Sequence, residues 1–120
     1  MKMTFNPNDL NQFTGSEHWY RHPINRKFLY TDGVQYVVET AGAYWLIDEI
    51  ALIQPYNKKI AAEEFQVWKL TVNADSSAQL TCEDGNDNAV YSKRIPFTDF
   101  PAEGIRFFYC NNTLMLPGEY

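Results

Sequence analysis

A chain of 120 residues with 45% hydrophobic content has the size of one domain and enough apolar material for one core, so a single domain over 1–120 is expected. Its 10 basic and 15 acidic residues give a net charge of −5, which argues against a general binder of phosphate backbones. No stretch approaches the roughly 18 to 20 apolar residues of a membrane-spanning helix, the opening Met1–Pro7 lacks the apolar run of a signal peptide, and two cysteines are too few for a disulfide framework; a cytoplasmic protein with reduced thiols is expected.

Asn8 or Asp9 is placed to cap a short opening turn through Phe13. After Thr31-Asp32, the residues Val34, Val37, Val38 and Ala41 recur at helical spacing, and Gly42 is suited to end that helix. A second helix is expected from Ala43 to Gln54, with Leu46, Ile47, Ile50 and Ile53 as its apolar face and Pro55 as its stop. The pattern then changes. Phe65–Val72 alternates and is rich in strand formers, Asp75-Ser76-Ser77 reads as a turn, and Ala78–Glu83 alternates again. Asp84–Asn88 makes a further turn, Ala89–Ile95 a third strand stopped by Pro96, and Ile105–Cys110 a fourth. Asn111-Asn112 fits a two-residue hairpin loop, which would set Leu114 and Leu116 on the face of Phe107 and Tyr109. The fold class implied is α+β, with N-terminal helices packed on one face of an antiparallel β-meander of four to five strands.

The blocks FTGSEHWYRH (13–22), YTDGVQYV (30–37), AGAYWLIDEIA (41–51), FQVWKL (65–70), LTCEDGNDN (80–88), IPFTDFP (95–101) and the closing LPGEY resemble a family of small bacterial proteins carried by plasmids and phages. The resemblance covers nearly the whole chain and implies a mobile-element setting. It carries no assigned activity, so it assigns no site residue.

Chemistry concentrates in residues 13–23, which hold both histidines. His18 and His22 have the H-x-x-x-H spacing of a helical metal half-site, but Pro23 pushes His22 out of helical backbone. In a strand the two Cα atoms would stand roughly 13 Å apart. No metal and no cofactor is expected. Asp84, Asn86 and Asn88 match the start of a calcium loop, yet its glycine position holds Ala89 and its glutamate position Ile95, so a polar hairpin turn is the better reading. Ser16, Ser76, Ser77 and Ser92 lack a nucleophile setting. Cys82 shares a strand face with Leu80, whereas Cys110 opposes the face of Phe107 and Tyr109, which argues against their bonding. Asp48-Glu49 and Glu63-Glu64 are sequence neighbours that diverge on a helix.

Two surfaces remain. On the helix 43–54, Trp45 and Leu52 fall outside the core stripe beside Asp48 and Glu49, an aromatic anchor ringed by carboxylates; the competing reading has a neighbouring element cover Trp45. In the other, Trp19, Tyr20, Arg21, Arg26, Lys27 and Phe28, together with His18 and His22, bring rings and cations close enough to hold a single nucleic-acid strand; the competing reading makes Trp19 and Phe28 core and the cations solvated. The expected function is thus a non-catalytic accessory protein that binds a macromolecule, with a protein as partner. Single-stranded nucleic acid comes second. An enzyme using His18 or His22 as general base comes third, since either would need an orienting carboxylate.

Overall fold

A three-residue strand, β1 (Trp19–Arg21), opens the part of the chain that this computed structural model describes, residues 18–120. The expected opening turn through Phe13, with Ser16, lies outside the described residues. β2 (Leu29–Thr31) leads directly into helix α1 (Asp32–Ala41), followed by α2 (Tyr44–Ile53) and the single turn α3 (Lys58–Ala61). Strands β3 (Phe65–Val72), β4 (Ala78–Glu83), β5 (Ala89–Ile95), β6 (Ile105–Cys110) and β7 (Thr113–Met115) follow, and a 3-10 turn spans Pro117–Glu119.

The helices begin and end where local chemistry directs them. Thr31 stays extended and its hydroxyl accepts from the Val34 N–H, while Gly42 takes the left-handed conformation (φ 64°) that closes α1. Asn57 caps α3 by accepting from the N–H groups of Lys59 and Ile60.

Among the described residues all strands form one seven-stranded sheet in the order β1-β2-β7-β6-β3-β4-β5. Every neighbouring pair is antiparallel except β2 and β7, which run parallel with Leu29 beside Thr113 and Tyr30 beside Leu114. This overturns the expected antiparallel meander of four to five strands with helices packed on one face, although the α+β class holds. Two physical reasons account for the difference. Strands of three residues are too short to show a two-residue period. The chain also leaves β5 and crosses back, so β6 pairs with β3 instead of extending the meander. Gly104 seats that return segment at φ +66°, where a Cβ would stand 2.2 Å from the Leu70 carbonyl oxygen, so only glycine permits the approach.

Asn111 and Asn112 both take left-handed backbone (φ 52° and 61°), the two-residue loop that joins β6 to β7. Its register places Leu114 opposite Tyr109, on the buried face. That face adds Trp68, Leu70, Leu80, Cys82 and Phe107 to a core completed by Val34, Val37, Leu46 and Ile50 of the helices. Both cysteines are free, Cys82 buried beside Trp68 and Cys110 on the opposite face beside Phe65.

Candidate functional site

The loop from β1 to β2 is fastened to α2 by polar side chains. His22 is 1% exposed, and its Nδ1 accepts from the backbone N–H groups of Ile24 (3.1 Å) and Asn25 (3.0 Å). The ring proton therefore sits on Nε2, which donates to Asp48 Oδ1 at 2.8 Å. Asn25 adds a bond from its side-chain amide to the Ala51 carbonyl, 2.8 Å. Next to them Phe28 is fully buried, edge-on to His22 and stacked on Tyr109 with centroids 5.0 Å apart.

A carboxylate does stand beside a histidine here, but the pair faces the wrong way for catalysis. In a base oriented by a carboxylate, the far nitrogen must keep a lone pair for the substrate. In His22 that nitrogen already receives two backbone protons. His22 holds the loop to the helix, and Asp48, its side chain 58% exposed, is fixed in direction by it.

Asp48 lies on the rim of a cleft of about 340 Å³ between α2 and β5. Glu49, Leu52, Tyr56, Tyr91 and Lys93 line it with Asp48 and Ile53. Lys93 Nζ reaches both oxygens of Glu49, at 2.9 and 3.0 Å, and this hydrogen-bonded carboxylate holds the lysine above its usual range. Tyr91 rests against the buried Trp68, with ring centroids 5.9 Å apart. Tyr56, just past Pro55, is 83% exposed. Three of the four residues expected on this helix, Asp48, Glu49 and Leu52, thus come together. Trp45 does not join them; it is half-buried against the core. Tyr56, Tyr91 and Lys93 were not foreseen. Pro55 was the one hint for Tyr56, and β5 meets α2 only in three dimensions.

The second expected surface is divided. Strand alternation sends Trp19 (57% exposed) and Arg21 to one face of the sheet and Tyr20 to the other, stacked on Tyr30 at 5.4 Å. His18, Arg26 and Lys27 are exposed, while His22 and Phe28 are buried. Lys27 borders a larger, polar cleft of about 600 Å³. Its floor is the buried Gln66, which exchanges two hydrogen bonds with Gln54 (2.9 and 3.0 Å) and accepts from Trp68 Nε1 (2.8 Å). Tyr109 lines the same cleft, and burial pushes its hydroxyl up to about 12.

Among the described residues no group of three or more His, Cys, Asp or Glu side chains converges to hold a metal ion. Cys82 is an unpromising nucleophile, because burial pushes its thiol up to about 12 and thiolate is the reactive form. No helix among the described residues is long and apolar enough to cross a membrane.

Fold and clefts define a small α+β protein with a mixed sheet, its open surfaces set between elements distant in sequence. The chain belongs to a family of unknown function, DUF6876, whose model matches residues 4–120. Comparisons with curated proteins and with solved structures gave no match.

Proposed function

We propose that this protein is a non-catalytic accessory factor of a mobile element, acting in the cytoplasm by holding a protein partner in the cleft between α2 and β5. The mobile-element setting and the compartment rest on the sequence resemblance and composition alone. The observation that carries the binding reading is the cleft itself. Leu52, Ile53 and Tyr91 give it apolar walls, Tyr56 offers a ring that is almost wholly in solvent, and such rings dominate protein contacts. Lys93 neutralises Glu49, which leaves Asp48, held in place by His22, as the charge that selects a partner. The occupant that fits is an apolar side chain flanked by a lysine or arginine. Against a catalytic reading stands the geometry of His22, whose two ring nitrogens are both engaged.

A pull-down from the native host with the wild-type chain and with Leu52→Arg, read by mass spectrometry, tests this. A protein recovered by the wild type and lost with Leu52→Arg, at unchanged thermal stability, supports the cleft. Equal recovery by both overturns it.

A further inference from the structure

The sheet face turned away from the core is built from the alternate residues of the same strands. Pairing sets Phe65 beside Cys110, Val67 beside Phe108, and Lys69 beside Arg106, with Met115 next to Phe108. Phe65 and Phe108 meet at 5.0 Å between centroids, and Tyr120 stands edge-on to both at 5.2 and 5.6 Å. The Arg106 guanidinium lies 5.5 Å above the Phe108 ring. Beside this cluster is a hollow of about 240 Å³, walled by Trp19, Cys110, Thr113 and Met115. Tyr120 and Trp19 are 71% and 57% exposed, so open rings stand on both sides of Met115.

The charge of this face departs from that of the chain. Arg21, Lys69, Arg94 and Arg106 share it by strand register, and Glu83 and Glu119 place side-chain carboxylates there. Both of these side chains are engaged: Glu83 pairs with Lys69 at 3.0 Å, and Glu119 accepts from the Thr31 hydroxyl and from the N–H groups of Gly33 and Leu116. Asp75, in the turn before β4, lies within electrostatic reach of Arg94. In a protein of net charge −5, this is a locally cationic surface set with exposed rings. From β1 to β3 it extends about 19 Å, four strand spacings of roughly 4.8 Å.

Rings beside cations are what an unpaired nucleic-acid strand requires: any base stacks on an aromatic face, and phosphates seek the guanidinium groups. A run of carboxylate side chains alone would use the cations and leave the rings idle. We propose that the outer sheet face binds single-stranded nucleic acid, with bases on Trp19 and Tyr120, the Phe65–Phe108 pair seating the Tyr120 ring, and phosphates on Arg21 and Arg106. This surface is separate from the protein-binding cleft, and it takes only Trp19 and Arg21 from the segment that the sequence singled out.

The test is fluorescence anisotropy with a labelled pyrimidine oligonucleotide of about 12 nucleotides, in DNA and RNA forms, over a range of salt. Binding that weakens steeply with salt is expected. Trp19→Ala should loosen it roughly 5- to 150-fold. Phe108→Leu, which keeps the apolar bulk and removes the ring, should act in the same direction if the fold is intact. Arg21→Ala with Arg106→Ala should lower the salt slope by about two counterions, whereas Arg26→Ala with Lys27→Ala should leave binding unchanged. Absence of binding at low salt and tens of micromolar protein overturns the proposal. So does binding that is lost with the Arg26 and Lys27 pair and kept in Trp19→Ala, or displacement by a polyglutamate peptide with no effect of either ring variant.

Discussion

The two flanks of the sheet are held together by different means. On one side β3, β4 and β5 are joined by short turns and pair over long ladders, with Trp68, Leu70, Leu80 and Cys82 buried beneath them. On the other, β1, β2 and β7 have three residues each, and polar side chains supplement their short ladders and the buried Phe28 and Leu114: His22 on Asp48, Asn25 on the Ala51 carbonyl, Thr31 and the Gly33 N–H on Glu119. A ladder over apolar residues fails as a unit. A flank of three-residue ladders supplemented by separate side-chain hydrogen bonds loosens piecewise, and opens at lower cost than the whole.

The largest effect is expected where the ladder flank meets the core. Trp68→Ala should lower unfolding free energy by about 3–5 kcal/mol in a denaturant titration, and it leaves the buried Gln66 carbonyl without its indole donor. Hydrogen exchange should accelerate on both flanks together; acceleration confined to β3–β5 would break the comparison.

Asp48→Ala should cost less, about 1–3 kcal/mol, because the His22 Nε2–H is then buried without a partner. Here exchange should quicken in residues 19–31 while β3–β5 keep their protection. Uniform acceleration would show that the polar fastening governs the whole sheet.

The smallest effect at neutral pH concerns Cys82 and emerges only in alkali. Burial raises its folded value from 9.0 to about 12, so between those values the folded state binds more protons than the unfolded state. The stability this group contributes is complete below pH 9 and is lost as pH rises toward 12. Cys82→Ser should flatten part of the decline in denaturant midpoint above pH 9; an unaltered slope would assign the decline to the similarly raised Tyr109.

The ladder flank was also the legible one. Phe65–Val72, Ala78–Glu83, Ala89–Ile95 and Ile105–Cys110 stand where alternation and turn residues placed them, because those signals act over a few residues. α1 was equally plain from Thr31, its apolar spacing and Gly42. β1, β2 and α3 are shorter than any period that could announce them, and the parallel pairing of β2 with β7 depends on contacts across most of the chain. The site divides along the same line. Asp48, Glu49 and Leu52 share a helix face and were grouped from spacing, whereas Tyr91 and Lys93 reach them only through the register of β5. For Trp45 the sequence left two readings, projection beside the carboxylates or cover by a neighbouring element, and the structure sets it half-buried against the core.

The parallel contact between β2 and β7 also bears on how the chain is made. Thr31 and the carboxylate that accepts its hydroxyl hydrogen bond, Glu119, lie 88 positions apart, and β7 is the last of the described strands to leave the ribosome. While β3, β4 and β5 are free to pair as they emerge, the side of β2 that β7 will occupy stays an open strand edge until translation of this region is nearly complete. A chain stalled before residue 113 would therefore present an adhesive strand with no cognate neighbour, and ribosome pausing in that interval would favour aggregation over folding.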